Sequence, residues 1–233
     1  MLLPCTLRNS RRYDKIPLSR MIAEVLFVKN VIFDMGNVLL RYDPAYFLRR
    51  EGVNDPADAA LLMREIFRSP RWPMQDWGML DEPDLEREAF ARLPARLHEA
   101  AHRLIWSWED PVVPIPGMEE LLYDLKNKGY GLYLLSNASR RLREYAAHIP
   151  GSALFDGMVV SAEEGLIKPM PEIYACLCRR YGLLPEDCIF IDDMPMNIAG
   201  ALRAGMQGIV FEGDAALLRR QLDDLLGSPA QGK

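Results

Sequence analysis

Residues 31–37 read Val-Ile-Phe-Asp-Met-Gly-Asn, and this stretch indicates the fold of the chain. A short run of β-branched and aromatic residues stopped by a Gly-Asn turn is typical of a buried strand, here one that ends at Asp34. The same form recurs in four later runs, at residues 131–137, 158–160, 188–193 and 208–211. Strands that are apolar on both faces belong to a parallel sheet covered on both sides, so the sequence predicts an α/β fold.

The segments next to the later strands carry helical patterns. These patterns lie at residues 117–128, 138–148, 171–182, 195–205 and 214–226. Strand and helix therefore alternate along the chain, which predicts a Rossmann-like, doubly wound parallel sheet.

Residues 44–112 interrupt this alternation, because they contain no strand-like run and repeated helix formers, as at 59–67 and 85–101. We interpret them as an inserted helical unit. The predicted organisation is an N-terminal extension at 1–27, an α/β core at 28–42 and 114–233, and a helical cap at 43–113.

All four tryptophans, Trp72, Trp77, Trp106 and Trp108, fall in this insert. A small helical unit needs large apolar side chains to fill its core, so we interpret the tryptophans as core residues. The alternative is an aromatic wall against which a substrate packs.

The composition, 49% apolar with 28 basic and 33 acidic side chains, is that of a soluble globular protein. The net charge of −5 argues against a dedicated nucleic-acid binder, whose affinity depends on neutralising phosphates with Lys and Arg. No apolar stretch approaches the roughly 18 residues of a membrane-spanning helix. We therefore expect neither nucleic acid nor a membrane as a partner.

The four cysteines are Cys5, Cys176, Cys178 and Cys188. They form no Cys-x-x-Cys pair and none lies beside a His, so they predict neither a zinc site nor a disulfide framework. This usage is typical of a reducing cytoplasm, where we expect the protein to act.

Residues 1–20 hold five basic side chains and one acid but no apolar core, unlike a secretory signal. We expect a loose extension there, or an overcalled start codon with Met21 as the natural start.

Polar residues terminate the predicted strands. The first strand ends at Asp34, the second at Ser136 and Asn137, and the fourth at Asp192 and Asp193, while Lys168 follows the third. In an open α/β sheet the ligand binds beyond the carboxyl ends of the strands. Singly, each residue has a structural explanation as a turn former, a helix N-cap or a solvated charge. Together they suit one chemistry, in which two carboxylates hold Mg²⁺ and Ser, Lys and main-chain N–H groups hold a phosphate against it.

Four motifs that occur in order carry a resemblance to a known family. They are Val-Ile-Phe-Asp-Met-Gly-Asn-Val-Leu at 31–39, Leu-Leu-Ser-Asn at 134–137, Lys168-Pro169, and Ile191-Asp192-Asp193 followed by Asn197. From about residue 28 onward the chain thereby resembles the haloacid dehalogenase (HAD) superfamily. The helical insert after the first motif is similar to that family's C1 cap, and the first motif resembles a branch that includes bacterial sugar-phosphate phosphatases.

The resemblance implies a Mg²⁺-dependent phosphatase of small phosphorylated metabolites. Asp34 would attack phosphorus and form an aspartyl-phosphate, which water then hydrolyses. The Mg²⁺ ligands would be the Asp34 carboxylate, the main-chain carbonyl of Gly36, and Asp192.

The remaining motif residues are implied to bind or support the phosphoryl group. Ser136, the main chain of Asn137, and Lys168 would contact its oxygens and stabilise charge in the transition state. Asp193 would orient Lys168 or a metal-bound water, and Asn197 would brace the loop.

Gly36 departs from the pattern of most phosphatases in the family, which carry an Asp at this position to protonate the leaving oxygen. General acid catalysis contributes roughly 10² to 10⁴ in rate. Either the leaving group departs easily, or another group supplies the proton, or activity is weak. Asp43 is one conceivable substitute, but Asp43-Pro44 before a helical run is more typical of an N-cap. A conformational need for glycine at Gly36 would limit its replacement by Asp.

Three other functions compete with hydrolysis of a phosphate ester. A metal-free dehalogenase does not need the acidic pair Asp192-Asp193. A phosphotransferase or sugar-phosphate mutase usually relies on the acid that Gly36 replaces. A non-catalytic module that binds a phosphate or a partner is favoured by Gly36 and disfavoured by Asp34. The sequence does not indicate the substrate or the oligomeric state.

Overall fold

The computed structural model describes residues 28–226, and these contain a five-stranded, wholly parallel sheet. The strands are β1 (Asn30–Phe33), β2 (Gly131–Ser136), β3 (Gly157–Val160), β4 (Cys188–Asp192) and β5 (Gln207–Val210). Their order across the sheet is β3-β2-β1-β4-β5. The five predicted strands and the doubly wound α/β fold are confirmed. The predicted extension at 1–27, with its alternative start at Met21, lies outside the described residues.

The register places the carboxyl ends of the central strands side by side. Phe33, the last residue of β1, pairs with Leu134 of β2 and with Ile191 of β4. The Asp34 amide donates to the Ile191 carbonyl at 2.8 Å, which extends this pairing by one residue. The polar residues that end β1, β2 and β4 therefore lie at one edge of the sheet.

Two hydrophobic layers cover the faces of the sheet. Alternate residues of β1 point to opposite faces, so Val31 and Phe33 join one cluster and Ile32 joins the other. All three side chains are fully buried. This is the two-sided burial that the uninterrupted apolar strands predict.

Helices of the α/β core follow the strands in chain order. They are α6 (Met118–Asn127), α7 (Leu142–Tyr145), α8 (Ser161–Glu164), α9 (Pro171–Tyr181), α10 (Pro195–Arg203) and α11 (Ala215–Leu226). The helix predicted at 138–148 is confirmed only over its second part, where α7 and a 3₁₀ turn at Ala146–His148 form. The hydroxyl of Ser139 accepts from the Arg141 amide and the Ser139 carbonyl accepts from Leu142, which holds the start of this segment as a turn.

The insert between β1 and β2 is helical. It contains α1 (Pro44–Arg50), α2 (Pro56–Leu62) with a π-helical continuation (Met63–Phe67), α3 (Arg71–Asp76), α4 (Glu82–Phe90), a 3₁₀ turn (Ala95–Leu97) and α5 (His98–Trp106). The helix-forming run at 85–101 does not make one helix, because Pro94 lacks the amide proton that a continuous helix would need.

Two chain segments that connect the insert to the core pair with each other. The Arg41 amide donates to the Val113 carbonyl at 2.8 Å, and the Ile115 amide donates to the Leu39 carbonyl at 2.9 Å. These antiparallel bonds join the entry and the exit of the insert just beyond β1, so the insert stands over the edge of the sheet where Asp34 lies. Within residues 28–226, each helix is too short or too polar to cross a membrane.

Candidate functional site

The residues at the strand ends converge on a buried ion cluster. The Lys168 Nζ lies 2.7 Å from Asp34 Oδ1 and 2.7 Å from Asp192 Oδ2. The Lys168 side chain is 1% exposed and that of Asp192 is 0% exposed. The sheet register explains this convergence, because Asp34 follows β1 and Asp192 ends the neighbouring β4.

Three carboxylates form a set that fits a divalent cation. One oxygen each from Asp34, Asp192 and Asp193 lies within 4.8 Å of the others. Among residues 28–226, no main-chain amide donates to the Gly36 carbonyl, so this oxygen is free to join the set. Hard oxygen donors of this kind suit Mg²⁺, so the donor set is compatible with that ion.

Burial and the charge of neighbouring groups shift the pKa values of this cluster in opposite directions. Burial raises the pKa of Asp34 to about 6, while the charge of Lys168 opposes the rise and that of Asp192 adds to it. Burial alone would lower the pKa of Lys168, but the charges of Asp34 and Asp192 raise it. Lys168 is therefore a fixed cation near neutral pH.

Asp192 is held by groups of the loop and of α10. Asn197 Nδ2 lies 3.0 and 3.1 Å from the two carboxylate oxygens, and the Met194 amide donates to Oδ1 at 2.8 Å. The Tyr174 hydroxyl donates to the Asn197 carbonyl at 2.7 Å. Asn197 thus links the Asp192 carboxylate to the start of α10, which is consistent with the predicted role of bracing this loop.

Asp193 contacts a residue that the sequence reasoning missed. Its Oδ2 accepts from Asn37 Nδ2 at 3.2 Å, and Asn37 Oδ1 in turn accepts from the Tyr42 amide at 3.0 Å. Asp193 does not pair with Lys168, whose ammonium group lies against Asp34 and Asp192. Of the two roles considered for Asp193, the one at a metal-bound water stays a prediction. Asn37 adopts φ of 55°, and the Gly-Asn turn was the signal that could have singled it out.

The Asn137 side chain has a role in positioning Lys168. Its amide group forms two hydrogen bonds with the Lys168 main chain, one from the Lys168 amide at 2.9 Å and one to the Lys168 carbonyl at 3.1 Å. Ser136 is 1% exposed at the end of β2, and both Ser136 and Asn137 line the cavity described next. The strand-end residues named from the sequence therefore come together at one place.

A cavity of about 340 Å³ opens beside Asp34 between the sheet edge and the insert. Aromatic residues form much of its wall, namely Tyr42, Phe67, Trp72, Trp108 and Tyr145. They pack on one another, with ring centroids 4.9 Å apart for Phe67 and Trp72 and 5.2 Å apart for Tyr42 and Trp108. Among the described residues that line the cavity, none is Lys, Arg or His.

The tryptophans do not act only as core residues. Trp108 belongs to the hydrophobic core, as predicted, and Trp72 packs against that core, but both also line the cavity. Trp77 is 38% exposed and donates its Nε1 to the Gly165 carbonyl of the core at 2.9 Å. Trp106 lines a separate cavity. The sequence pattern could not separate these positions, because a cavity wall and a core both need large apolar residues.

Asp76, the last residue of α3, lines the same cavity as Asp34 and was not identified from the sequence. Burial raises its pKa well above the usual value, the charges of Asp34 and Glu82 add to the rise, and the charge of Lys168 opposes it. Asp76 follows no predicted strand, so the sequence did not indicate that it lies near the sheet edge. Asp43, the substitute considered above, instead caps α1 by accepting from the Tyr46 amide at 3.1 Å, which confirms the N-cap interpretation.

Comparison with known proteins identifies the family. Residues 28–205 match the family model for haloacid dehalogenase-like hydrolases. Flavin mononucleotide hydrolase 1 from Arabidopsis thaliana is 28% identical over 201 residues, which cover 84% of this chain and 76% of that protein. A sesquiterpene phosphatase from Aspergillus oryzae is 28% identical over 187 residues, covering 78% and 88%. A phosphorylated carbohydrates phosphatase from Thermotoga maritima is 29% identical over 184 residues, covering 77% and 82%.

Solved structures share the fold. A HAD-family enzyme from Bacteroides thetaiotaomicron, crystallised with magnesium and inorganic phosphate, superposes with a TM-score of 0.59 at 20% identity. The match covers 82% of this chain and 98% of that one. A dehalogenase superposes with a TM-score of 0.61 at 20% identity, covering 78% and 83%.

Proposed function

Since this chain belongs to the haloacid dehalogenase-like hydrolases, we propose that it is a Mg²⁺-dependent phosphatase of small phosphorylated metabolites. The observation that carries the proposal is the buried Lys168 between Asp34 and Asp192, of which Asp34 lines a cavity together with Ser136 and Asn137. The three relatives described above support it, since each is named as a hydrolase or phosphatase of a phosphorylated compound.

Asp34 is the nucleophile in this proposal. Its carboxylate attacks phosphorus, the ester P–O bond breaks, and water then hydrolyses the aspartyl-phosphate to release inorganic phosphate. The place of Asp34 at the end of β1 fixes the attacking oxygen, because the Asp34 amide is bonded into the sheet.

The other strand-end residues neutralise and orient the phosphoryl group. Lys168 supplies a fixed positive charge. Ser136 and the main-chain N–H of Asn137 donate hydrogen bonds to phosphoryl oxygens. The Asn137 side chain positions Lys168 by its two hydrogen bonds to the Lys168 main chain.

Asp34, Asp192 and the Gly36 carbonyl would hold Mg²⁺, with Asp193 close enough to bind a water of the ion. The ion would offset negative charge on the phosphoryl oxygens. Asn197 keeps the Asp192 carboxylate in place by bonding both of its oxygens.

The helical insert, assigned to residues 43–113, determines the substrate specificity in this proposal. Its aromatic wall suits a sugar face, a planar ring or an apolar chain. The lining residues that the structure describes include no Arg, Lys or His for a second anionic group. We therefore assign the substrate to monophosphates whose organic part is uncharged. An insert over the site also excludes water from the reacting centre.

A screen of phosphate release tests this proposal. The panel holds sugar monophosphates, flavin mononucleotide, prenyl monophosphates and p-nitrophenyl phosphate, each measured with Mg²⁺ and with EDTA. Fructose 1,6-bisphosphate and 3-phosphoglycerate serve as matched compounds with a second anionic group. We expect Mg²⁺-dependent turnover of monophosphates and lower kcat/KM for the doubly anionic compounds.

Two results would contradict the proposal. Binding of phosphate without release from any compound would favour the non-catalytic module, and transfer of the phosphoryl group to a second position of a sugar would favour a mutase. Faster turnover of the doubly anionic compounds would overturn the assigned substrate class alone.

A further inference from the structure

The proposed reaction lacks an obvious source for one proton. When the ester P–O bond breaks, an alcohol leaves as a poor alkoxide unless a proton reaches its oxygen. Gly36 carries no acid, and the Asp43 carboxyl is engaged at the N-terminus of α1. If the protein supplies this proton, the donor is another residue that lines the cavity beside Asp34.

Three residues of the cavity wall outside the acidic cluster carry a dissociable proton, namely Tyr42, Asp76 and Tyr145. Burial raises the pKa of both tyrosines, and the charge of Asp76 raises them further, so the phenols are poor acids near neutral pH. Asp76 differs from them, because a carboxyl pKa starts below neutral pH and a rise brings it closer to neutral pH, whereas a rise takes a phenol pKa further from it. Asp76 is therefore the best matched acid of the three.

The core holds the end of α3 in place. The Asp76 carbonyl accepts from the Ser161 hydroxyl of α8, and Trp77 Nε1 donates to the Gly165 carbonyl at 2.9 Å. Gly78 packs so closely that a Cβ there would lie 2.3 Å from the Ala162 carbonyl oxygen. Asp76 thus belongs to a segment docked on the core rather than to a free surface of the insert.

Asp76 lines the cavity, and its carboxyl group has no hydrogen-bond partner among residues 28–226. Between residues 28 and 226, no donor bonds its oxygens, whereas Glu82 in the next helix accepts from the Ser139 hydroxyl at 2.7 Å. The charged groups that act on Asp76 are Asp34, Glu82 and Lys168. A carboxyl group in this position is available to a bound substrate.

We propose that Asp76 donates the proton to the leaving oxygen, an inference that rests on the proposed phosphatase function. As the Asp34 oxygen bonds to phosphorus and the ester P–O bond breaks, the electron pair left on the departing oxygen takes the Asp76 proton, and a neutral alcohol leaves. The Asp76 carboxylate then accepts a proton from the water that attacks the aspartyl-phosphate. Inorganic phosphate is released and both aspartates return to their starting states.

Leaving groups that differ in their need for a proton test the inference. Nitrophenolate leaves without a proton, whereas the alkoxide of a primary-alcohol phosphate does not. We expect Asp76→Asn to keep p-nitrophenyl phosphate turnover and to lower kcat/KM for alkyl monophosphates by roughly 10² to 10⁴. Asp84→Asn, the same change at an acid of α4 that pairs with Arg87, is the matched control and should alter neither rate.

The pH profile gives a second readout. Because Asp76 must be protonated, alkyl phosphate turnover by the wild type should fall as pH rises through the elevated pKa of Asp76. The p-nitrophenyl phosphate profile should lack this alkaline limb, and Asp76→Asn should remove it for alkyl phosphates.

The outcomes separate the inference from the proposed function. Equal loss on both kinds of substrate, or no loss on either, in an active wild-type background overturns the role of Asp76 alone. Wild-type protein that releases no phosphate from either substrate overturns the proposed function and the inference together.

Discussion

Lys168 is the residue on which the buried cluster depends. An ammonium group that is removed from water loses several kcal/mol unless paired charges offset the loss. Here two carboxylates lie 2.7 Å from Nζ, and the Phe190 ring centroid lies 5.2 Å away. Conversely, Lys168 compensates Asp34 and Asp192, of which Asp192 is wholly buried.

We expect Lys168→Met to destabilise the protein by about 3–5 kcal/mol, because two buried carboxylates then face each other without a cation. Urea unfolding at pH 7.5 measures the change in the free energy of unfolding. Lys126→Met is the matched control, since Lys126 pairs with Asp156 at the surface and such pairs contribute about 0–1 kcal/mol. Equal effects of the two substitutions would show that the cluster does not need its cation.

Gly36 has room for the acid that it lacks. Its φ lies outside the left-handed region, and a Cβ there would meet only the Tyr42 Cβ, at an ordinary 3.8 Å. A conformational need for glycine therefore does not limit the replacement of Gly36 by Asp.

We expect Gly36→Asp to restore part of the alkyl phosphate turnover that Asp76→Asn removes, because a carboxyl group two residues after the nucleophile also reaches the leaving oxygen. The double variant is compared with Asp76→Asn by kcat/KM, with Mg²⁺ affinity measured alongside. Gly36→Asn in the same background controls for the added side chain. Recovery by the Asn variant as well would argue against proton donation.

At the scale of elements, apolar runs and their terminal residues predicted the sheet well. Each of the five predicted strands forms, because a buried parallel strand needs little beyond an uninterrupted apolar run. Asp34, Lys168 and Asp192 could be grouped from the sequence, because strand ends in a parallel sheet meet at one edge. The helix predicted at 138–148 begins only at Leu142, because Ser139 bonds to nearby backbone, which hydrophobic periodicity does not reveal.

The contribution of the insert to the site could not be predicted in the same way. Asp76 reaches the cavity only because α3 ends against α8, and that contact depends on Ser161, Trp77 and Gly78 together. These residues are distant in sequence and share no periodic pattern, so the sequence does not predict that they meet. The same holds for the cavity positions of Trp72 and Trp108.

We expect Gly78→Ala to disturb the docking of the insert. Gly78 has φ of +75°, and its added Cβ would clash with the Ala162 main chain, so alkyl phosphate turnover should fall as Asp76 is displaced. Gly52→Ala is the matched control, since Gly52 has φ of +74° and nothing within 4 Å. Both variants should lose about 1–2 kcal/mol of stability from backbone strain, and only Gly78→Ala should lose additional stability and turnover. Equal losses in thermal unfolding and kcat/KM would show that the close contact is unimportant.

At the scale of the whole molecule, the two parts make different contributions to one reaction. In the proposed reaction the sheet edge brings the nucleophile Asp34, the cation Lys168 and the phosphate contacts, and the insert brings the aromatic wall and Asp76. The paired segments around Leu39 and Val113 join them at the mouth of the site. In the proposed reaction the core supplies the nucleophile and the phosphate contacts, while the insert supplies the proton donor and selects the organic group.

Phosphate release by wild-type protein and by Asp34→Asn, purified in parallel and assayed with Mg²⁺ on the best monophosphate of the screen, tests this account most directly. The amide is nearly isosteric with the carboxylate, so circular dichroism and thermal unfolding should show a folded variant. The account predicts many turnovers by the wild type and only background release by Asp34→Asn, because the attacking oxygen is gone. Release by Asp34→Asn at the wild-type rate would contradict it, since the nucleophile would then lie elsewhere.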